Sequence, residues 1–502
     1  MRTHSVSVSL CCSFGKGYAS TIGGGRGNRG DGSFSFVGGG YFNTAYDYAA
    51  SISGGFKNSA MSAWSTVLGG LYNRAYGSYA TIGGGAYGFT YATAATIGGG
   101  MYNSAYSEFS TVLAGTTNKA WADSEWSFIG AGHNNRLTGI ASSIQGGMSN
   151  SVEADYASLG GGYENTILGY VGTLTGGAYN YVVGSWGFMG GGRNSYQSGE
   201  AAVNSGGTYN TNTGDYATIQ GGQSHGVYGP YGSLGGGHNS WVYGYAGTVS
   251  GGMYNSANGA YNQVGAGWYN RATGGYGCSI GGGYSNIIGA VACGAITGGQ
   301  SGRVYAPYAT AVGGENSYAS GYGAVVGGGM YNRAYGSYSG VAGGEYNTAT
   351  SPYSLVGGGQ YNTANGASTT ILGGQYNRIH GDYIAVTGGR YHYVSAPANS
   401  IGAGYDHYMT GYGGTITGGM WNTAAYMSTV LGGLYNTALG DYASVGGGMY
   451  SHSYGDYSTI NAGGWHWCVG DYCTVAGGTY NFIYAAYSTI GGGQRHRIYA
   501  PY

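Results

Sequence analysis

The most constraining feature of this sequence is a fifteen-residue repeat that runs through nearly all of its 502 residues. We call one repeat a coil and number its positions as slots, with the apolar residue before a glycine run as slot 6. Slot 6 first falls at Ile22, last falls at Ile490, and occurs 32 times. Neighbouring slot 6 residues are 15 apart, except for 17 after Val112, 16 after Val264 and Ile280, and 14 after Ile416. Such a period predicts stacked repeats rather than several independent domains.

The slots read in one-letter code as G-x-Y-A-T-I-x-G-G-x-Y-N-x-A-x. Because side chains alternate along a strand, slots 4 and 6 should point inward, while slots 3 and 5 point outward. All five prolines occupy slot 2, which predicts a corner there, and the glycines of slots 8 and 9 predict a second corner. Slot 9 is Gly in all 32 coils, which indicates positive φ or a close approach of neighbouring coils.

We therefore predict an all-β fold, a parallel β-solenoid (β-roll) of about 32 coils with two short strands and two tight turns per coil. A rise of about 4.8 Å per coil gives a rod of roughly 150 Å. The core is thin, so stability should come from stacking of neighbouring coils. Residues 15–502 should form one continuous solenoid domain. Residues 1–14 should form an N-terminal capping strand, with Val6, Val8 and Leu10 on one face.

The composition excludes several classes of function. Only 7% of residues are charged and the net charge is -1, which argues against a nucleic-acid partner. No stretch approaches 18 apolar residues, so we predict no membrane span. The His and acidic residues are scattered, and the glycine runs lack the spacing of nucleotide-binding loops. We expect no enzymatic activity, no cofactor and no metal site.

Slot 12 is restricted to four residue types. It is Asn in 21 coils, His in five, Ser in four and Gly in two. This restriction predicts an inward-facing polar ladder, in which the side chains bond to one another or to backbone groups of the turns. For the histidines we favour structural hydrogen bonding over metal binding or catalysis. The ladder is represented by Asn73, Asn103, Asn332, Asn347, Asn362 and Asn377.

Tyrosine is concentrated at two slots. Slot 11 is Tyr in 15 coils, and slot 3 is aromatic in 18. Three interpretations remain open: stacking between coils of one chain, a face on which copies of the chain associate laterally, and a surface for carbohydrate. The predicted self-association face comprises Tyr72, Tyr79, Tyr331, Tyr338, Tyr346, Tyr361 and Tyr376.

The chain has six cysteines, and an even number weakly favours an oxidising compartment. Cys468 falls in slot 14 and Cys473 falls in slot 4 of the next coil, so both should point inward. The pair could form a disulfide or remain as buried free thiols.

The phrase Tyr-Ala-Thr-Ile-Gly at Tyr79–Gly83, together with the Asn-x-Ala-x-Gly pattern, resembles the head repeat of YadA-like trimeric autotransporter adhesins. That family reads Ser-Val-Ala-Ile-Gly with Ala-x-Ala-x-Gly, usually in 14 residues. The resemblance covers about residues 15–502, with one more residue in each coil. It implies a left-handed parallel β-roll, assembly as a trimer, and adhesion to host matrix.

Together these patterns predict a non-enzymatic structural fibre that is extracellular or on a cell or virion surface. We expect its copies to associate laterally through the tyrosine ladders and also end to end, as a filament or trimer. The end-to-end prediction rests on Ile498–Tyr502, which matches Val304–Tyr308 inside the chain, where a strand follows. The alternative is an adhesin or virus-type fibre head that binds glycans or host surface proteins.

Overall fold

The computed structural model describes residues 6–7, 12–289 and 292–499. The chain divides into two compact units, Met1–Gly252 and Met253–Tyr502. In the described residues the fold is an all-β parallel β-solenoid of about 32 turns, without helices and with a spacing of about 15 residues between paired strands. The predicted fold class is therefore confirmed. Handedness remains a prediction from the family resemblance.

Two strands of two residues each recur in every coil, and they form two parallel sheets. The first sheet uses slots 5 and 6. It runs from Val6–Ser7 and Thr21–Ile22 to Thr248–Val249 in the first unit, and from Gln263–Val264 to Thr489–Ile490 in the second. The second sheet uses slots 13 and 14. It runs from Phe14–Gly15 to Trp241–Val242, and from Ser256–Ala257 to Arg497–Ile498.

A third ladder of isolated parallel bridges follows slot 10, as in Leu71↔Ala86. At slot 10 the N–H donates toward the following coil, and at slot 11 it donates toward the preceding coil. Leu71 N–H donates to Gly85 at 2.9 Å, and Tyr72 N–H donates to Phe56 at 3.0 Å. The direction reverses because slot 11 has positive φ, which is 58° at Tyr72. Slot 3 behaves in the same way, with φ of 61° at Tyr79.

The prediction that slot 3 belongs to a strand is therefore wrong. Its residues lie in the left-handed region and form the corner between the second sheet and the next strand of the first sheet. The alternation of side chains along a strand correctly predicts that slot 3 is exposed, but slot 3 is exposed because it lies in a corner and not because it lies in a strand. In the left-handed corner the side chain projects away from the core, as with Tyr79, which is 59% exposed.

The core is a single thin layer between the two sheets in each unit. Slots 4 and 6 supply it from one side, as with Ala80 and Ile82, and slots 12 and 14 supply it from the other, as with Asn73 and Ala75. All four of these residues have 0% exposure. No coil could bury such a layer alone, so each coil depends on its neighbours.

The two glycines of the second corner have different constraints. At slot 9, Gly85 has φ of +84°, and a Cβ there would lie 2.0 Å from the carbonyl oxygen of Gly100 in the next coil. The predicted backbone constraint at slot 9 is therefore confirmed. At slot 8, a Cβ on Gly84 would meet no atom within 4 Å.

The N-terminal strand Val6–Ser7 pairs in parallel with Thr21–Ile22, in the register of one further coil. The predicted capping face also includes Val8 and Leu10, which lie outside the described residues. The C-terminal phrase used for the end-to-end prediction lies partly outside them as well, because residues 500–502 are not described.

Candidate functional surface: the aromatic columns

Slot 11 carries a continuous column of aromatic rings in the unit Met253–Tyr502. Tyr346 stacks on Tyr331 with ring centroids 4.6 Å apart, and on Tyr361 at 4.8 Å. Tyr376 continues the stack at 4.9 Å from Tyr361. The column extends to Tyr480, with ring contacts of 4.4–5.7 Å. Its eleven members are Tyr331, Tyr346, Tyr361, Tyr376, Tyr391, Tyr405, Trp421, Tyr435, Tyr450, Trp465 and Tyr480.

The column stays unbroken where slot 11 is not aromatic. In that coil slot 11 is Asp406, and the preceding residue at slot 10, Tyr405, supplies the ring instead. Its centroid is 5.5 Å from Tyr391 and 5.5 Å from Trp421. A ring taken from the neighbouring slot indicates that continuity of the column matters more than the identity of any one position.

The same compensation occurs at the corner column of slot 3. Where slot 3 is Ala19 or Ala49, slot 2 is tyrosine. Rings from the two slots then alternate in the order Tyr18, Phe34, Tyr48, Trp64 and Tyr79, with centroids 5.5–6.3 Å apart. The sequence shows that alanine at slot 3 is accompanied by tyrosine at slot 2 in these coils, but a count of residue types at each slot separately does not reveal it.

The predicted self-association residues fall on separate columns. Tyr331, Tyr346, Tyr361 and Tyr376 lie together on the slot 11 column just described. In the other unit Tyr72 lies within a slot 11 column, 5.7 Å from Phe56 of the preceding coil and 5.2 Å from Tyr87. Tyr79 and Tyr338 belong to the slot 3 columns, where Tyr338 contacts Tyr322 at 5.4 Å and Tyr353 at 5.5 Å.

A third column, at slot 15, was not predicted. Tyr76, Tyr91, Tyr106 and Trp121 follow one another with centroids 5.2, 4.5 and 5.4 Å apart. Slot 15 is mixed over the whole chain, so its average composition hides this local run. A search for aromatic residues at successive 15-residue intervals would have found it.

Backbone energetics do not favour tyrosine at these corners. A residue with a Cβ in the left-handed region costs roughly 1–2 kcal/mol, and Gly, Asn or Asp adopt it more readily. A stacked aromatic pair contributes about 0.5–1.5 kcal/mol, which offsets that cost only in part. Six of the eleven rings in the slot 11 column are exposed, for example Tyr361 at 40%, and the other five are half-buried. Backbone preference and ring stacking together therefore do not explain why tyrosine occupies these corners, and a contact made by the exposed rings would explain it.

The columns are uncharged at neutral pH. Partial desolvation, followed by the neighbouring Tyr346, raises the pKa of Tyr361 above its usual value. The pKa of Tyr457 in the slot 3 column is also raised, first by desolvation and then by Tyr442. The exposed surface of a column is therefore apolar along its ring edges, with neutral hydroxyls that can donate hydrogen bonds.

The slot 12 ladder is buried and bonds mainly to the backbone. The Asn73 amide nitrogen donates to Gly69 in its own coil at 2.9 Å and to Gly85 in the next coil at 3.0 Å. Its oxygen accepts the Gly88 N–H at 2.8 Å. The Gly85 carbonyl also accepts the Leu71 N–H at 2.9 Å, whereas the Gly69 carbonyl and the Gly88 N–H bond to the amide. Asn73 thus pairs two corner groups that the change of direction at slot 11 would leave unpaired. The named ladder residues Asn73, Asn103, Asn332, Asn347, Asn362 and Asn377 are all at most 1% exposed.

Histidine replaces asparagine in this ladder at four buried positions, His225, His392, His407 and His466. The ring Nδ1 of His392 accepts the His407 N–H at 3.1 Å, and Nδ1 of His407 accepts the Asn422 N–H at 3.2 Å. The two rings stack 4.8 Å apart. Burial lowers the pKa of His392 to about 4, with a further contribution from His407.

Cys468 and Cys473 are fully buried and joined by a disulfide. They link slot 14 of one coil to slot 4 of the next, across the thin core. Cys278 is buried, whereas Cys12 and Cys293 are exposed.

A shallow groove of about 320 Å³ lies beside the slot 11 column in the second unit. Arg303, Tyr318 and Arg333 follow one another in register along slot 13 and are among its lining residues. Its lining is Ser301, Arg303, Asn316, Tyr318, Tyr331, Arg333 and Tyr335, with no carboxylate.

Within residues 12–289 and 292–499, no group of three or more His, Cys, Asp or Glu side chains is arranged to hold a metal ion. The described part of the chain also contains no helix long and apolar enough to cross a membrane. No protein-family model and no curated protein matches this sequence.

Proposed function

We propose that this protein is a structural, non-enzymatic fibre component whose copies associate laterally through the exposed aromatic columns. The observation that carries the proposal is the uninterrupted slot 11 column from Tyr331 to Tyr480, including the ring supplied from slot 10 at Tyr405. A column kept continuous at unfavourable backbone positions, with its rings exposed, favours a contact surface over internal stabilisation alone.

The area of the column is adequate for this role. An aromatic side chain presents about 150–250 Å², so eleven side chains that are each about one-third exposed offer roughly 550–900 Å². A specific protein interface buries about 800 Å² per partner. Tyrosine is also enriched in interfaces, because it combines a large apolar ring with a hydroxyl that can find a partner.

The test is the full-length triple variant Tyr346→Asn, Tyr361→Asn and Tyr376→Asn. Asparagine is well tolerated at positive φ, so the coils should still form, while the column loses three adjacent rings. We expect lateral association, followed by sedimentation velocity and negative-stain imaging, to be lost while the circular dichroism melting curve is retained. The matched control replaces the same residues with phenylalanine, which keeps the rings. If the asparagine variant associates like the wild type, the column is not the contact surface.

We extend the proposal to location and axial association. The disulfide supports an extracellular or cell- or virion-surface location, because disulfides persist in oxidising compartments. End-to-end association is proposed from the sequence pattern, since parallel solenoids pair through their strand edges. Filament lengths in the same images test it, and a uniform particle length at all concentrations would contradict it.

Kinship with the YadA-like adhesins is also proposed. A parallel β-roll with a fifteen-residue repeat is consistent with it. An experimental density map that shows a left-handed coil and three associated chains would support kinship, whereas a right-handed coil would contradict it.

The groove around Arg303 and Arg333 favours glycan binding as a second candidate function. Exposed tyrosine faces stack on sugar rings, and arginine recognises carboxylate or sulfate in a bidentate manner. Affinity electrophoresis should show retardation by polygalacturonate but not by dextran, and the variant Arg303→Ala/Arg333→Ala should remove it. Equal mobility in both gels would argue against this function.

A further inference from the structure

Charged residues are segregated by slot. Nine of the 16 Lys and Arg residues occupy slot 13, where no Asp or Glu occurs. Ten of the 17 Asp and Glu residues occupy slots 1 and 2, where no Lys or Arg occurs. The basic row comprises Arg29, Arg74, Lys119, Arg136, Arg271, Arg303, Arg333, Arg378 and Arg497. The acidic row comprises Asp47, Glu108, Glu125, Asp155, Glu200, Asp215, Asp382, Asp441, Asp456 and Asp471.

The two rows do not neutralise each other within the chain. The basic row lies on the outer face of the second sheet, and the acidic row lies on the corner that follows it. All but Lys119 and Asp155, which are half-buried, are exposed. Across the described residues, the one salt bridge joins Arg29 to Asp31, which belongs to neither slot 1 nor slot 2.

Backbone bonding explains part of the acidic row. The carboxylate of Asp155 accepts the Ile140 N–H of the preceding coil at 2.8 Å, and other aspartates at slot 2 do the same. Glu108, Glu125 and Glu200 use no such carboxylate bond in the structure. Corner bonding also gives no reason for slot 13 to exclude acids, so the segregation needs a further explanation.

Within Met1–Gly252 the two rows have matching spacing. Counting coils from the one that contains Ile22, the cations Arg29, Arg74, Lys119 and Arg136 lie in the first, fourth, seventh and eighth coils. The acids Glu108, Asp155, Glu200 and Asp215 lie in the seventh, tenth, thirteenth and fourteenth coils. A shift of six coils therefore places every cation of this unit's basic row opposite an acid.

We propose that a second copy of this chain, with its solenoid axis parallel and displaced by six coils, sets its acidic row against this basic row. The displacement is roughly 29 Å, which is six strand spacings. The inference rests on the lateral association proposed above and specifies its direction and register. The contact joins two different surfaces, so every copy keeps one free row for a further copy, and the arrangement extends or closes into a ring.

The second unit, taken by itself, shows the same displacement in part. Six coils separate Arg303 from Asp382, and six separate Arg378 from Asp456. Arg271, Arg333 and Arg497 have no acid at that distance. Exposed charge pairs contribute little affinity individually. The rows therefore set register and association rate, while the aromatic columns supply most of the buried area.

The experiment uses charge reversal in the full chain. One variant carries Arg29→Glu and Lys119→Glu in the basic row, and a second carries Glu108→Lys and Glu200→Lys in the acidic row. The control, Asp47→Lys/Glu125→Lys, makes the same charge change on the same corner, at acids that the six-coil shift leaves without a cation. Circular dichroism melting checks that all three fold, and light scattering at about 0.05 M and about 0.5 M salt follows lateral association.

Each reversed variant alone should associate roughly tenfold more slowly at low salt, because like charges then face each other. A mixture of the two should recover the wild-type rate, since each variant's altered row then meets an opposite charge. The control should stay within about twofold of wild type, and high salt should remove the differences.

The inference is overturned if the mixture does not recover, or if the control slows as much as the acidic-row variant. If charge reversal has no effect while the tyrosine-to-asparagine variant abolishes association, only the register is wrong. If the wild-type protein does not associate laterally at all, the proposed function itself fails.

Discussion

The stacked pair His392 and His407 should make the second unit sensitive to mild acid. Each ring Nδ1 accepts a backbone N–H, at 3.1 and 3.2 Å, so each ring must be neutral with its proton on Nε2. The Nε2–H of His407 donates to the Ala403 carbonyl at 3.1 Å. Protonation of Nδ1 would place a donor against a donor and a charge in the core. Burial lowers the pKa of His407, and the hydrogen bond to Ala403 and the nearby Asp406 oppose that lowering only in part.

The magnitude follows from the pKa of His392. It is about 4 in the folded chain, against 6.5 when unperturbed. Because the folded pKa is the lower one, the unfolded chain takes up the proton first as the pH falls. Stability is therefore full above pH 6.5 and is lost between pH 6.5 and about 4, by about 3 kcal/mol for this residue. For a unit of this size, that corresponds to a fall in Tm of roughly 6–12 °C.

The assay compares thermal melting at pH 7 and pH 4.5 for the wild type and for His392→Asn/His407→Asn. Asparagine restores the usual slot 12 ladder and has no proton to gain, so the acid-induced fall in Tm should shrink by most of that amount. His380→Asn, which removes an exposed histidine of the same unit, is the control and should leave the fall unchanged. An equal acid sensitivity in the double variant and the wild type would refute this account of the ladder.

Three further predictions concern the repeat itself. Gly85→Ala should lower the free energy of unfolding by at least about 2 kcal/mol, because of positive φ and the clash with the next coil, whereas Gly84→Ala next to it should change it by less than about 0.5 kcal/mol; equal effects in urea unfolding would contradict the distinction between the slots. Asn73→Ala should cost about 2 kcal/mol in the same assay, since it leaves the Gly69 carbonyl and the Gly88 N–H without their amide partner, and a loss below about 0.5 kcal/mol would mean that water replaces the amide. The Cys468–Cys473 disulfide spans only five residues, so its reduction should lower the free energy of unfolding by about 2 kcal/mol. Calorimetry with and without reductant measures this change, and an unchanged melting curve would contradict the prediction.

Much of the fold follows from the sequence because every coil repeats the same constraint. The invariant glycine at slot 9, the apolar residue at slot 6 and the polar residue at slot 12 each occupy one position, and their repetition specifies inside and outside. Gly85, Ile82 and Asn73 lie where that reasoning places them. The structure adds which backbone groups Asn73 pairs, since hydrogen-bond partners depend on the register between coils.

The corners were harder to predict. Tyr79 at slot 3 and Tyr72 at slot 11 adopt positive φ, although tyrosine is not a residue that indicates this conformation. Hydrogen bonding between neighbouring coils overrides the intrinsic preference of tyrosine for negative φ at these positions. An alternating pattern of apolar and polar residues cannot distinguish a corner from the end of a strand. The candidate surface was only partly predictable for a related reason. Slot averages identify Tyr361, but they conceal columns that continue through a neighbouring slot, as at Tyr405.

Negative-stain imaging of the purified full-length protein over a range of concentrations tests the central claim most directly. The account predicts copies lying side by side with a constant lateral spacing, together with an axial offset near 29 Å between neighbours. Single, unassociated particles at every concentration would contradict it.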